Sequence, residues 1–130
     1  MLSFVVPGQP VPTARARVVV RGGKAHAFTP KRTASYQTTV ALYARRAMAL
    51  RAQGSFPMKG ALGLHVQFHR EDERRCDLDN LAKGVKDALT KVGAWGDDSQ
   101  VVHLEAFKFT GSGDPRTEVR VFYADRAGVT

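Results

Sequence analysis

The first half of the chain lacks acidic residues altogether. Asp and Glu are absent from residues 1–70, which carry eleven Lys or Arg, whereas residues 71–130 carry nine basic and twelve acidic residues. The two halves therefore contribute +11 and −3 to the net charge of +8. A half-chain without carboxylates creates a strongly positive potential that attracts polyanions, so nucleic acid is the partner that we expect. A basic surface that binds no ligand is the alternative.

Cysteine is almost absent, since Cys76 is the only one. A single thiol cannot form an intramolecular disulfide, which argues against an oxidised, secreted scaffold. No apolar run approaches the roughly 18 residues of a membrane span, and residues 1–12 lack the basic start and apolar stretch of a signal peptide. We therefore expect a cytoplasmic protein without a membrane partner. With 43% apolar content, residues 1–130 are expected to form a single domain.

The N-terminal half predicts a strand, a hairpin and a helix. Residues 2–6 form a short apolar run that ends at a Pro-Gly pair, which favours a buried strand. Residues 15–20 and 25–28 flank a glycine pair that can supply positive φ for a hairpin turn. Apolar residues at steps of three and four between residues 33 and 53 predict an amphipathic helix with a glycine as its stop.

The C-terminal half predicts three strands and a second helix. Residues 61–69 alternate apolar and polar side chains, as a half-buried strand does. Residues 79–92 carry an apolar stripe with helical spacing that Gly93 closes. Residues 101–109 and 117–123 predict two further strands, separated by turn-forming residues. The predicted fold is α+β, with a mostly antiparallel or mixed β-sheet packed by two main helices.

An acidic motif lies between the strand at 61–69 and the second helix. Asp77 and Asp79 flank Leu78, so in an extended or pre-helical segment both carboxylates point the same way while Leu78 anchors into the core. Two convergent carboxylates in a basic protein suit a hard cation such as Mg²⁺. An Asp at a helix start also caps free backbone N–H groups, so capping is the alternative for this pair.

Two further groups can join the carboxylate pair. Lys83 lies four residues after Asp79 on the same helix face, where it either contacts a scissile phosphate or forms only an exposed ion pair. Asp97 and Asp98 lie in the loop that enters the next strand, from which a third carboxylate can return to the helix start. A turn anchored in the core by Trp95 explains these two aspartates without a functional role.

As a set, these residues resemble the RusA family of Holliday-junction resolvases. The resemblance covers nearly the whole chain and is strongest from residue 74 to residue 101. Its motifs are Arg-Arg-Cys-Asp-Leu-Asp-Asn-Leu-Ala-Lys (74–83), Asp-Ala-Leu (87–89) and Trp-Gly-Asp-Asp-Ser-Gln-Val (95–101). The N-terminal half is similar to one branch of the family through Gly-Gln-Pro-Val-Pro (8–12), Arg-Ala-Arg (15–17), Phe-Thr-Pro-Lys-Arg-Thr (28–33) and Tyr36.

The resemblance implies a Mg²⁺-dependent endodeoxyribonuclease that resolves Holliday junctions by paired symmetric nicks in DNA recombination and repair. It places the metal-binding, catalytic carboxylates on Asp77, Asp79 and Asp98, rather than on Asp97, and the catalytic lysine on Lys83. Because two strands of a four-way branched DNA must be nicked and one chain offers one acidic cluster, the implied assembly is a C₂ homodimer.

Basic residues of the hairpin and of both helix starts are the expected contacts to DNA phosphates. The expected DNA-binding residues are Arg15, Arg17, Arg21, Lys24, Lys31, Arg32, Arg74, Arg75 and Asn80, the last of which completes the acidic motif. The chain departs from the family pattern at Thr13-Ala14, where relatives often carry Lys, and at Gln37, where they often carry Glu. These departures concern contacts to the substrate rather than the metal site.

Two other functions are compatible with the same residues. A non-catalytic basic nucleic-acid-binding module would use Asp77 and Asp79 only as caps and would retard DNA without cutting it. A Mg²⁺ nuclease that prefers RNA, forks or flaps would share both the charge and the carboxylates. A zinc site is not expected, because His65 and His69 lie on the polar face of a strand, His103 is distant from them, and there is no Cys pair.

Overall fold

The computed structural model describes residues 1–14, 17–28 and 30–124, with only the backbone described for residues 17, 19, 27 and 28. The N-terminal half contains strands β1 (Leu2–Pro7), β2 (Arg17–Arg21) and β3 (Lys24–Phe28) and helix α1 (Lys31–Ala49). Strand β4 (Leu62–His69) and helix α2 (Leu78–Lys91) follow. A short 3₁₀ turn (Asp98–Gln100) then leads to strands β5 (Val101–Phe109) and β6 (Arg116–Tyr123).

Four of the strands form a mixed sheet in the order β1-β6-β4-β5. Strand β6 runs antiparallel to β1 and β4, whereas β5 runs parallel to β4. The parallel pair follows from the connection, because α2 lies between β4 and β5 and provides the crossover that parallel strands need. Strands β2 and β3 form a separate antiparallel hairpin, with Gly22 and Gly23 at positive φ in its turn. The predicted α+β fold with a mixed sheet and two main helices is confirmed.

The core lies between one face of the sheet and the two helices. Every second side chain of β4 is fully buried, as the alternation predicts. Helix α2 buries its apolar stripe, and α1 buries a narrower one. Trp95 is the core anchor that the sequence predicts, and its Nε1 donates to Thr90 Oγ1 at 2.7 Å. The principal core side chains are Leu62, Leu64, Val66, Phe68, Leu81, Val85, Leu89, Tyr36 and Val40.

The helices differ from the prediction mainly at the end of α1. This helix stops at Ala49, four residues before the predicted end at residue 53. Leu50, the last residue of the apolar stripe, is 88% exposed, so no packing holds the helix beyond this point. Helix α2 agrees with the prediction to within one residue at each end. Neither of these two helices is long and apolar enough to cross a membrane.

Candidate active site at the start of helix α2

A buried arginine positions the loop that leads to the acidic motif. Arg70 follows β4, is 5% exposed and donates through its guanidinium to Pro10 O at 2.8 Å and Cys76 Sγ at 3.3 Å. A third guanidinium bond reaches Asp72 Oδ1 at 3.4 Å, and the backbone N–H of Arg70 donates to Phe109 O at 2.8 Å. The side chain of Arg70 therefore ties the N-terminal segment to the loop before α2, and its backbone ties the end of β4 to the end of β5. The sequence interpretation missed this residue.

Asp77 is the N-cap of α2. Its backbone is extended, and its Oδ1 accepts a hydrogen bond from the backbone N–H of Asp79 at 3.2 Å. The capping alternative is therefore correct for Asp77. The cap uses Oδ1, and both Asp77 and Asp79 are exposed. Capping and metal binding are compatible, because Oδ2 of Asp77 and the carboxylate of Asp79 remain on an open surface in the same helical turn.

The N-terminal segment crosses the starts of both helices. The backbone N–H of Thr13 donates to Asn80 O at 3.0 Å, and that of Ala14 donates to Thr33 Oγ1 in α1 at 3.3 Å. A Cβ at Gly84 would lie 2.8 Å from Thr13 Oγ1, so glycine permits this close approach. The start of α1 therefore lies beside the start of α2, at the end of the molecule that holds the acidic motif.

Most of the expected DNA contacts are exposed, and several lie around this end. Arg15 falls outside the described residues, and only the backbone of Arg17 is described. Seven others are exposed: Arg21 and Lys24 at the hairpin turn, Lys31 and Arg32 in the first turn of α1, Arg74 and Arg75 before the cap, and Asn80 in α2. Arg74 and Arg75 directly precede the carboxylate pair in the chain, and exposed cations beside it can bind phosphates while the carboxylates bind a cation.

Lys83 forms an ion pair, although not with Asp79. Its Nζ lies 3.6 Å from Asp87 Oδ2, and the lysine side chain is 60% exposed. An exposed pair of this kind contributes under about 1 kcal/mol, so it does not fix the ammonium in place. Lys83 can therefore turn toward a phosphate bound one helical turn away at Asp79.

Asp97 and Asp98 have different surroundings. The carboxylate of Asp97 caps the 3₁₀ turn by accepting bonds from Ser99 N at 3.4 Å and Ser99 Oγ at 2.7 Å. These hydrogen bonds from Ser99 hold the pKa of Asp97 below its usual range. Gln100 completes the cap, since its Oε1 accepts from Asp97 N at 3.1 Å. Asp98 is exposed, and its backbone belongs to the turn, where its carbonyl oxygen accepts a hydrogen bond from the N–H of Val101.

The 3₁₀ turn lies at the far end of α2 from the acidic motif. Gln100 donates to Met58 O and Gly60 O, next to the start of β4. At the other end of the sheet, Lys108 Nζ in β5 donates to Cys76 O at 2.7 Å, immediately before Asp77. A helix of 14 residues spans about 20 Å, which is the approximate separation of the two ends.

The three predicted carboxylates are therefore not brought together within one chain. Asp77 and Asp79 share a helical turn, whereas Asp98 lies beyond the other end of the helix. Within residues 1–14, 17–28 and 30–124, no group of three His, Cys, Asp or Glu side chains is placed to hold a metal ion. A site that contains all three aspartates therefore needs one of them from a second copy of the chain.

The predicted separation of His103 from the other histidines was wrong. His65 Nδ1 and His103 Nε2 lie 2.9 and 2.8 Å from the two carboxylate oxygens of Glu105. Parallel pairing of β4 and β5 puts these side chains side by side on the uncovered face of the sheet. The hydrogen bonds from His103 and His65 hold the pKa of Glu105 below its usual range. His69 Nε2 lies 3.0 Å from Glu118 Oε2 on the same face.

Comparison with known proteins identifies the family. The family model described as endodeoxyribonuclease RusA matches residues 7–122. The uncharacterized protein YqaN of Bacillus subtilis (strain 168) is 32% identical over an alignment of 136 positions, which covers 92% of this chain and 94% of the relative. The crossover junction endodeoxyribonuclease RusA of Escherichia coli (strain K12) is 38% identical over 87 residues, 67% of this chain and 68% of the relative.

A shorter match is to the crossover junction endodeoxyribonuclease of Enterobacteria phage 82, which is 43% identical over 58 residues, 45% of this chain and 48% of the relative. The family match runs from the N-terminal segment to β6 and so includes the acidic motif, Lys83 and the 3₁₀ turn. The chain belongs to the RusA family of endodeoxyribonucleases.

Proposed function

We propose that this protein is a Mg²⁺-dependent endodeoxyribonuclease that resolves Holliday junctions by paired nicks in recombination and repair. The observation that carries the proposal is the exposed carboxylate pair of Asp77 and Asp79 at the start of α2, which follows the exposed Arg74 and Arg75 in the chain. Relatives that carry the name crossover junction endodeoxyribonuclease support four-way branched DNA as the substrate. The lone, buried Cys76 is compatible with action in the cytoplasm as a single domain with one core.

The donor set at the start of α2 fits Mg²⁺. Its atoms are carboxylate oxygens, which hard cations prefer, and the exposed surface leaves room for water and substrate oxygens. When bound there, Mg²⁺ supplies a water of lowered pKa and neutralises the charge that develops on the phosphate. Asp77 and Asp79 would hold the ion, and Lys83 would place its ammonium against the scissile phosphate. Arg74 and Arg75 would bind the neighbouring phosphates.

A contribution from Asp98 requires a second chain. Because α2 carries Asp98 about 20 Å from the acidic motif of its own chain, we assign it to the site of a partner copy. In a C₂ homodimer, Asp98 of each copy would complete the pair formed by Asp77 and Asp79 of the other, which gives two equivalent sites. Two equivalent sites match a reaction that nicks two strands of like polarity.

Cleavage of a synthetic four-way junction tests the proposal. Purified protein should introduce symmetric nicks in the presence of Mg²⁺, none with EDTA, and few in the linear duplex of the same sequence. Forks, flaps and RNA duplexes included in parallel test the alternative substrates. Retardation of the junction without incision at any Mg²⁺ concentration would instead support the non-catalytic binding module.

A further inference from the structure

The hairpin formed by β2 and β3 stands apart from the hydrophobic core. Among the described strands, β2 and β3 pair only with each other. Every hairpin side chain that the structure describes is exposed, and none of them belongs to the core. A two-stranded ribbon is only marginally stable by itself in water. Packing against the described core therefore does not explain which side chains the hairpin carries.

The hairpin has one apolar side and one basic side. Side chains alternate along a strand, and residues that face each other across an antiparallel pair share one side of the ribbon. The register pairs Val20 with Ala25 and Arg21 with Lys24. Val18 and Val20 therefore lie on one side with Ala25, whereas the two cations lie on the other. We call the side formed by Val18, Val20 and Ala25 the valine face.

The two valines are far more exposed than core-forming side chains. Val18 and Val20 are 66% and 71% exposed, and of the large apolar side chains that the structure describes only Leu50 is more exposed. A single exposed apolar residue needs no explanation, but two on one side of a short ribbon form an apolar patch. Strand formation does not require valine here, because threonine has a comparable preference for strands. A partner with apolar surface explains the valine face.

The charge of the hairpin favours nucleic acid as that partner. Residues 1–70 contain no Asp or Glu, and Arg21 and Lys24 are exposed on the opposite side of the same ribbon. Such a ribbon attracts a polyanion. In nucleic acid the phosphates suit the cations, and the faces of the bases suit the valines. Proteins that kink DNA insert apolar side chains between base steps in this way.

Base faces are accessible at a branch point but not along a linear duplex. In a duplex, stacking covers the faces of the base pairs, so a ribbon reaches only their edges in the grooves. Where the arms of a branched DNA meet, the innermost base pairs can separate from one another and expose their faces. An apolar ribbon at that point would therefore distinguish branched from linear DNA.

The connections of the hairpin lead to the end of the molecule that holds the acidic motif. Just before the hairpin, the backbone N–H of Thr13 donates to Asn80 O in α2 at 3.0 Å. After the hairpin the chain enters the first turn of α1, where Thr33 Oγ1 accepts from Ala14 N at 3.3 Å. Strands of five residues extend about 17 Å. The hairpin can thus reach a branch point close to the phosphates that the acidic motif would bind.

We propose that the valine face inserts at the branch point of four-way DNA, contacts the exposed faces of the innermost base pairs and holds them unstacked. Arg21 and Lys24 bind phosphates from the other side of the ribbon. The exposed valine face and its cations carry the choice of nucleic acid. Only the choice of branched DNA rests on the proposed function.

Fluorescence of 2-aminopurine at the branch point tests the proposal without Mg²⁺ and without cleavage. This base analogue brightens when it loses its stacking neighbours, so the wild type should brighten it on binding. The double variant Val18→Thr, Val20→Thr keeps the charge, the β-branched shape and the strand preference. It should bind without brightening, because its hydroxyls resist burial against a base. Val5→Thr changes a valine that is 49% exposed on β1 and should brighten the base like the wild type.

The preference for branched DNA provides a second readout. The ratio of junction affinity to affinity for the linear duplex should fall about tenfold or more in the threonine double variant. The slope of log K against log salt should not change, because no phosphate contact is lost. Brightening by the threonine variant equal to that of the wild type, or an equal loss of preference in Val5→Thr, would overturn the proposal.

Conservative substitution separates the apolar contact from a purely structural role. The double variant Val18→Ile, Val20→Ile keeps an apolar, β-branched pair and should brighten 2-aminopurine like the wild type. If it fails as the threonine variant does, polarity is not the cause and the valine face does not contact bases. A dimer dissociation constant that the threonine variant changes in the absence of DNA would assign the face to a protein contact and also overturn the proposal.

The same assays distinguish failure of this inference from failure of the proposed function. If the wild type nicks junctions in Mg²⁺ but leaves 2-aminopurine at the branch point stacked, the valine face has another role and the nuclease proposal stands. If it brightens the base through Val18 and Val20 but nicks no junction at any Mg²⁺ concentration, the valine face is supported and the nuclease proposal is wrong.

Discussion

Substitution of Asp77 separates its capping role from its proposed metal-binding role. Asp77→Asn keeps a side-chain oxygen that can accept the N–H of Asp79, which lies 3.2 Å from Oδ1. Asparagine and aspartate are about equally good N-caps, so the free energy of unfolding should fall only by the few tenths of a kcal/mol that the lost charge–dipole interaction contributes. Asp77→Ala removes the cap as well and should cost about 1 kcal/mol.

These energies translate into measurable melting temperatures. Unfolding entropies of about 2.1 cal/mol/K per residue give about 0.27 kcal/mol/K for this chain. The alanine variant should therefore melt about 4 °C below the wild type and the asparagine variant within about 2 °C of it. Both should lose single-turnover junction cleavage in Mg²⁺ by about 100-fold or more, because both lose the ligand charge.

Circular dichroism melts and single-turnover cleavage of a labelled junction provide the two readouts. If Asp77→Asn cuts at the wild-type rate, Asp77 acts only as a cap and does not bind the metal. A melting temperature of Asp77→Asn as low as that of Asp77→Ala would contradict the capping part of the argument.

Three other predictions concern catalysis, binding and stability. Asp98→Asn should abolish single-turnover cleavage but still retard junctions in Mg²⁺-free gels. The control Asp97→Asn makes the same charge change, can still cap the 3₁₀ turn and should cut nearly normally. If Asp97→Asn is inactive and Asp98→Asn cuts normally, Asp98 does not belong to the site. Junction affinity should fall steeply with salt: the slope of log K against log salt should be roughly −0.9 for each phosphate neutralised. The double variant Arg21→Ala, Lys24→Ala should make that slope shallower by roughly 2. An unchanged slope would show that the hairpin does not contact the DNA. Burial raises the pKa of Tyr36 from 10.0 to about 12. The unfolded chain therefore loses this proton at lower pH than the folded chain does. The corresponding part of the free energy of unfolding is present below pH 10 and is lost as the pH rises to 12. Urea unfolding of the wild type should show the free energy of unfolding fall by roughly 2–3 kcal/mol over this interval, and Tyr36→Phe should not show this fall. An equal fall in both proteins would contradict the assignment to Tyr36.

Local sequence patterns predict the helices and strands in which buried side chains recur at regular spacing. The stripe of α2 with Gly93 after it, and the alternation of β4, determine these elements to within one residue. Helix α1 was predicted too long because Leu50 continues the spacing without reaching the core. Periodicity reports which residues could be buried, and tertiary packing decides which of them are.

The site was harder to predict because its geometry depends on contacts between residues that are far apart in the sequence. Arg70 bonds Pro10, 60 positions earlier in the chain, and a single arginine after a strand gives no sign of that contact. Asp98 lies 19 positions after Asp79, but the intervening helix carries it away from the motif rather than back to it. The motif identifies these residues as a set, whereas only the structure indicates that one chain does not assemble them.

A heterodimer of two inactive variants tests the central claim that Asp77 and Asp79 of one copy share a site with Asp98 of another. Asp77→Asn and Asp98→Asn chains with different tags are co-expressed, and dimers that carry both tags are purified. In such a dimer one of the two shared sites retains all three aspartates. We expect Mg²⁺-dependent nicking of one strand per junction at about half the wild-type rate, while each variant alone is inactive. A doubly tagged heterodimer that binds the junction but makes no nick, beside an active doubly tagged wild type, would contradict a site shared between the two copies.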